Sequence, residues 1–222
     1  PLAANEAADW DAVEQEIRGR LGQIGSQGAV VVVTPTMTSP SLLATSDAFL
    51  EPVEVGRHVV SDAVSSSAIL EAHRRTHGVR VLPHFRFDRA AVIVSCGADF
   101  LGTWISPVEF TADWRKRRVP TEDDSAMSYH VQLEGRVSLT GSNADRRYRL
   151  PPNAYGEVLG HLASELGRRA GITQPAGQVP PVSSLTDDQL DDLVERLWGA
   201  RGASLVVCDS QDVNLQVLVN YI

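Results

Sequence analysis

Four short apolar runs, each separated from the next by helix-patterned sequence, constrain this chain more than any other feature. They are Ala29–Thr34 (Ala-Val-Val-Val-Val-Thr), Ala91–Ser95 (Ala-Val-Ile-Val-Ser), His130–Leu133 (His-Val-Gln-Leu) and Ser204–Val207 (Ser-Leu-Val-Val). A strand with one wet face alternates apolar and polar residues. A strand apolar on both faces belongs to a parallel sheet covered by helices on both sides. The intervening segments supply such helices. Trp10, Val13, Ile17 and Leu21 fall near helical spacing, as do Val158, Leu159, Leu162 and Leu166. Ser39-Pro40 combines an N-cap serine with proline at the first helical position, and Thr186-Asp-Asp-Gln189 has the form of a capping box. Further helices are expected over 65–76, ended by His77-Gly78, over 107–114 and over 213–222, with a short strand at His58–Val60. The predicted fold is α/β, an open and mostly parallel sheet with helices on both faces, over residues 1–222. The Pro-, Gly- and Ser-rich stretch 171–184 reads as an internal linker.

Composition excludes several classes of function. The net charge is −8, which argues against a nonspecific nucleic-acid binder. The basic run Arg115-Lys-Arg-Arg118 is followed at once by Glu122-Asp-Asp124. It reads as a solvated surface loop, with docking to a partner or an anionic lipid as the alternative. Cys96 and Cys208 are the only cysteines, both within apolar runs, and read as buried free thiols. With no Cys-x-x-Cys repeat, these residues alone cannot hold an iron–sulfur cluster. No apolar run reaches membrane-spanning length, and no signal peptide is evident. Pro1 in place of an initiator methionine suggests a segment of a longer chain.

The turn after the first strand, Pro35–Pro40, has no glycine. Dinucleotide sites need glycine there, because the backbone must approach a pyrophosphate closely. No Gly-Lys-Ser/Thr phosphate loop and no Gly-x-Ser-x-Gly nucleophile elbow occurs. His73 and His77 share a helix face and could bind a metal, but they lack a third ligand and a neighbouring glutamate. An exposed pair in the last helical turn is the preferred reading. Ser65–Ser67 reads as a helix cap. The strand ending at Ser95-Cys96-Gly97 delivers the chain to the C-terminal edge of the sheet, where open α/β folds bind ligands. A helix beginning at Ser106-Pro107 would present free amides there.

Two stretches carry a family resemblance. They are Ala98–Pro107 (Ala-Asp-Phe-Leu-Gly-Thr-Trp-Ile-Ser-Pro) and Arg136–Asp145 (Arg-Val-Ser-Leu-Thr-Gly-Ser-Asn-Ala-Asp). The chain resembles the molybdopterin oxidoreductases of the dimethyl-sulfoxide-reductase type, in which a strand leads through Asp-Pro-Arg and Thr-x-Thr-Ala to Ala-Asp. Here Ser138 and Thr140 hold the hydroxyl positions, and Ala144-Asp145 closes the pattern. Glu134-Gly135 replaces Asp-Pro, and the usual Gly-x-Asn-Pro reads Ala98-Asp99-Phe100-Leu101. With these departures the chain most resembles the large iron–sulfur, molybdopterin-like component of alternative complex III.

That resemblance implies a noncatalytic α/β scaffold domain of a quinol-oxidising membrane complex of the respiratory chain, on its periplasmic side. Iron–sulfur clusters (4Fe-4S and 3Fe-4S) would lie elsewhere in the parent chain. The implied partners are a multihaem cytochrome and quinol-oxidising membrane subunits. No catalytic residue, metal ligand or cofactor is expected in this segment. Should a cofactor be present, the pterin-facing equivalents are Ser66, Ser106, Arg136, Thr140 and Asp145, with Ser66 as molybdenum ligand. Without one, Arg136 is expected to anchor loop 136–145, and Asp145 to cap that loop or pair with Arg146 or Arg147. Asp99 and the bulk of Phe100, Leu101 and Trp104 should oppose a polyphosphate, and these side chains, or a neighbouring segment of the parent chain, should fill the space one would take. The alternatives are an active molybdopterin-dependent oxidoreductase domain and a Rossmann-like small-molecule-binding module.

Overall fold

The computed structural model describes residues 2–3, 6–24, 28–120, 126–172 and 181–222. Most of the stretch expected as a linker, 173–180, therefore lies outside the described residues. The chain divides into two compact units, Pro1–Ser65 and Ser66–Ile222.

The first unit opens with two short antiparallel strands, β1 (Leu2–Ala3) and β2 (Glu6–Ala7), and the helix α1 (Trp10–Ile24). Then come β3 (Val30–Thr34), α2 (Pro40–Leu50) and β4 (Gly56–Val60). Ser39 caps α2 by accepting from the Leu42 amide at 3.4 Å, and Pro40 supplies a preset φ at the first position. β3 and β4 form a parallel two-stranded sheet in the register Val30↔Gly56 to Thr34↔Val60. The expectation that 29–34 lies buried in the main sheet is corrected here. Among the described residues β3 pairs only with β4, and its residues alternate between half-buried and exposed. Valine on both faces suits a strand covered on both sides, but valine is compatible with partial cover too, so the run fixed strand character and not burial.

The second unit holds the core. Its elements are α3 (Ser67–His77), β5 (Val92–Cys96), α4 (Pro107–Lys116), β6 (Tyr129–Glu134), the single turn α5 (Leu139–Ser142) and β7 (Arg146–Arg149), followed by α6 (Tyr155–Ala170), α7 (Asp187–Gly199), β8 (Ser204–Cys208) and α8 (Val213–Tyr221). The four strands are all parallel, in the order β7-β6-β5-β8. From β5 the chain builds outward through β6 and β7, then returns to add β8 on the other side. The loops after β5 and β8 thus leave adjacent C-terminal ends where the strand order reverses, the position at which such sheets bind ligands.

Period-two alternation sorts the side chains into two layers. Val92, Val94 and Cys96 of β5, Val131 and Leu133 of β6 and Cys208 of β8 pack with Val158, Leu159, Leu162 and Leu166 of α6 and Leu190, Leu193, Val194 and Leu197 of α7. On the opposite face, Ile93 and Val207 pack with Ile69 of α3, Phe110 of α4 and the rings of Phe87, Phe100 and Trp104. The expected capping box forms at α7: the Gln189 amide donates to Thr186 Oγ1 at 3.3 Å, and the Thr186 amide to Gln189 Oε1 at 3.0 Å. Leu162 is fully buried between sheet and helix. Leu162→Ala should lower unfolding free energy by about 2–5 kcal/mol through lost burial and a residual cavity. A urea titration showing a loss below about 1 kcal/mol would contradict this packing.

Candidate functional site: the C-terminal edge of the central sheet

The turn after β5 is built by Asp99. Its main-chain carbonyl accepts from the amides of Gly102 (3.0 Å), Thr103 (2.8 Å) and Trp104 (2.9 Å). Its carboxylate reaches the loop after β6, where Oδ1 accepts from the Thr140 amide (3.0 Å) and from Thr140 Oγ1 (2.8 Å). Thr140 Oγ1 in turn accepts from the Leu101 amide at 2.9 Å. The four consecutive amides of Leu101–Trp104 are therefore all bonded within the protein. Below the turn, Phe100 and Trp104 sit in the interior, Phe100 stacked on Phe87 with ring centroids 4.3 Å apart. Phe100, Leu101 and Trp104 are all buried beneath the edge. Ile105, at φ 55, closes the turn in a left-handed conformation that is costly for a β-branched residue. Ile105 packs against the apolar layer that holds Phe100, Trp104 and Phe110.

A second carboxylate organises the loop after β6. Glu134 Oε2 accepts from Ser138 Oγ at 2.6 Å, and Oε1 from the Ser138 amide at 3.1 Å and Arg147 Nε at 2.6 Å. Ser138 Oγ then accepts from the Gly141 amide at 2.9 Å, capping α5. The Glu134 carboxylate approaches Gly141 so closely that a Cβ there would collide with it, which explains glycine at this position. Burial alone would raise the Glu134 pKa, but the Ser138 hydroxyl, Arg147 and the Ser138 amide outweigh it and hold the carboxyl below its usual value.

Glu134 also ends a buried polar row that the sequence did not announce. His130, Gln132 and Glu134 alternate along one face of β6 and are 0%, 0% and 3% exposed. They are linked by His130 Nε2 to Gln132 Oε1 and Gln132 Nε2 to Glu134 Oε2, each at 3.3 Å. The signal was present as polar residues at every second position of an otherwise apolar strand. His130 lies against Phe100 and Trp114, with ring centroids 5.2 and 6.3 Å away. Its Nδ1 and Trp114 Nε1 have no hydrogen-bond partner among the described residues. Burial pushes the imidazole down to about 4, a shift only partly opposed by Gln132 and Asp145.

The pterin-facing candidates make no hydrogen bond or ion pair with one another among the described residues. Thr140 is fully buried in the lock with Asp99. Ser106 occupies the N-cap position of α4, but its hydroxyl makes no capping bond. Ser66 likewise precedes α3 without a capping hydrogen bond, so the expected side-chain cap is absent at that position. Arg136 is exposed and has no hydrogen bond or ion pair among the described residues, which corrects its expected role as anchor. The anchors are Glu134 and Asp99, whose short acidic side chains point back into the loop where a long arginine would leave it. Asp145 does cap a neighbouring amide, that of His130 at 2.7 Å, but its cationic partner is Arg118 and not Arg146 or Arg147. Arg118 NH1 and NH2 reach its two oxygens at 2.6 and 2.9 Å, a bidentate fork that arginine geometry favours. Arg147 pairs with Glu134 instead.

The basic run, read as a solvated loop, begins inside a helix, with Arg115 and Lys116 exposed. Arg115 and Lys116 end α4, Lys116 pairs with Asp113 at 2.7 Å, and Arg118 is half-buried, also donating to the Ser128 carbonyl. His73 and His77 do stack on one helix face at 5.2 Å, but His73 is half-buried, its Nδ1 3.0 Å from the Ile69 carbonyl oxygen. Asn220 Nδ2 lies 3.5 Å from that imidazole and donates to Thr76 Oγ1 at 3.0 Å. No group of three or more His, Cys, Asp or Glu among the described residues is arranged to hold a metal. Cys96 and Cys208 are both buried, as expected, and in addition are register partners on β5 and β8. No described helix is long and apolar enough to cross a membrane.

No family model matches the chain, and no curated protein matches it.

Two outcomes follow from this geometry. Arg136→Ala should leave the urea midpoint unchanged, whereas Glu134→Ala should lower unfolding free energy by about 1–3 kcal/mol, because it leaves Arg147 and the Ser138 donors without a buried partner. Equal effects of the two substitutions would contradict the assignment. The second outcome concerns pH. The folded-state pKa of His130 is depressed from 6.5 to about 4, so between these values the unfolded chain binds a proton that the fold rejects. Stability should therefore fall as pH drops through that window, by up to about 1.4 kcal/mol per unit. His130→Leu should flatten the slope there, while the carboxylates Glu134 and Asp145, whose pKa values are lowered, account for losses at lower pH. An unchanged slope in the variant would rule out His130 as its source.

Proposed function

We propose that this chain is a noncatalytic α/β scaffold domain of a quinol-oxidising, membrane-bound electron-transfer complex, like the large molybdopterin-like component of alternative complex III. Its role there is to supply shape and docking surface for iron–sulfur clusters held elsewhere in the parent chain and for multihaem and quinol-oxidising partners on the periplasmic side. One observation supports the scaffold reading most. The amides of Leu101–Trp104, which follow β5 where a nucleotide pyrophosphate would seek donors, are all engaged by Asp99 and Thr140. A phosphate placed against Leu101–Trp104 would meet the Asp99 carboxylate and four amides that are already engaged. The aromatic filling below points the same way, because the volume is held by Phe100 and Trp104.

In this reading the two stretches that carry the family resemblance have exchanged cofactor contacts for contacts with each other. Asp99 stands at the variable second position of the family's Gly-x-Asn-Pro, and it binds Thr140 of the second stretch. The test is metal and pterin analysis of the intact parent complex, purified with quinol oxidation intact. Quinol oxidation without stoichiometric molybdenum or releasable pterin is expected. Stoichiometric molybdenum with a released pterin would overturn the proposal in favour of an active oxidoreductase domain.

A further inference from the structure

β5 and β8 meet at the strand-order reversal, and their last paired residues are Cys96 and Cys208. Register partners on neighbouring parallel strands share a face, and both cysteines belong to the apolar layer beneath α6 and α7. They are 0% and 1% exposed. Neighbouring strands run about 4.8 Å apart, inside the roughly 4.4–6.8 Å Cα separation that disulfides span. The neighbouring Cys208 thiol and burial both raise the Cys96 pKa.

Burial slows reaction but does not forbid it here, because β8 is the outermost strand of its sheet among the described residues. Edge strands open at lower cost than central ones. Cys208 is the final residue of β8, and the chain leaves it at once through Asp209.

We propose that Cys96 and Cys208 form a reversible cross-strand disulfide, a two-electron thiol switch at the last rung between β5 and β8. With glutathione disulfide as oxidant the step balances. One cysteine thiolate attacks the small disulfide, releasing one glutathione thiolate and leaving a mixed disulfide. The second cysteine thiolate displaces the other glutathione, and the two protons of the cysteines end on the two glutathione thiols. Two thiols become one disulfide while one glutathione disulfide is reduced to two glutathiones. In-register parallel strands hold Cβ atoms farther apart than the roughly 3.8 Å of a relaxed bridge. The bond must draw the strands together, and this strain makes it easy to reduce.

The rung sits under a crowded junction. Gly97 follows Cys96 with φ 71, and Asp209 follows Cys208. A Cβ at Gly97 would lie 2.5 Å from Asp209 Oδ1 and 2.6 Å from the Tyr155 hydroxyl oxygen. Drawing β5 and β8 together therefore moves Gly97 and Asp209 against Tyr155 at the C-terminal edge, and the oxidation state of the thiols is felt there.

The test uses the folded full chain and does not depend on the proposed function. The chain is equilibrated in mixtures of glutathione and glutathione disulfide, quenched with acid, unfolded, alkylated and weighed intact. The expected result is concerted loss of both alkylation sites in a monomeric species, restored by excess glutathione. Cys208→Ala should abolish that species and leave Cys96 alkylatable or carrying glutathione. Hydrogen exchange should show the β5–β8 ladder still protected in the oxidised form. The proposal is overturned if both thiols alkylate in glutathione disulfide alone. It is equally overturned if only glutathione adducts or dimers form, or if the oxidised species has lost protection of β5 and β8.

Discussion

The Asp99 carboxylate is the constraint on which the C-terminal edge depends. It is the point where the turn after β5 and the loop after β6 become one structure, through a donated amide and a donated hydroxyl of Thr140. Thr140 returns the contact by accepting the Leu101 amide, so the turn, the lock and the filled interior below all rest on one threonine and one aspartate. A buried hydroxyl without partners would cost free energy, and here it has both a donor and an acceptor role satisfied. The first unit uses the same device by itself. The Thr36 amide and hydroxyl, after β3, both donate to Asp62, after β4, and the hydrogen bonds hold that carboxyl below its usual pKa. In each unit a threonine following one strand is bound by an aspartate following its parallel neighbour.

The buried row on β6 is the counterpart of this closure within the sheet. Three polar side chains under a helix layer would be destabilising if left unpaired. Here they hand hydrogen bonds along the strand toward Glu134, whose excess charge is met by Arg147. The far end is less complete, with His130 Nδ1 and Trp114 Nε1 unpaired among the described residues. Keeping the imidazole neutral there is less costly than burying an imidazolium beside Phe100 and Trp114.

Much of the fold was legible in the sequence because it rests on local rules. Continuous apolar runs marked β5 and β8, while β6 was read as a strand despite a polar residue at every second position; Ser39-Pro40 and Thr186–Gln189 marked helix starts; the class of fold followed from their alternation. β7 was not legible: Arg146-Arg-Tyr-Arg149 carries the basic residues of a sheet edge, and nothing local distinguishes it from a loop. β3 had the composition of a buried central strand, yet its cover depends on tertiary surroundings that composition does not encode. At the site, burial of Phe100, Leu101 and Trp104 could be anticipated from their bulk. The partners could not. Asp145 lies beside two arginines in sequence but pairs with Arg118, 27 residues away, because β6 and the chain end following α4 bring that guanidinium to it. Arg136, read by its place in the motif, points to solvent, and the acidic residue two positions earlier does the anchoring.

The most direct measurement is a double-mutant cycle between Asp99→Asn and Thr140→Val, read by urea denaturation of the chain. If the two residues form a single lock, the substitutions are non-additive, with a coupling of about 1–3 kcal/mol. Effects that add to within about 0.5 kcal/mol would mean that the two loops hold their shapes independently, contradicting the closure on which the scaffold reading depends.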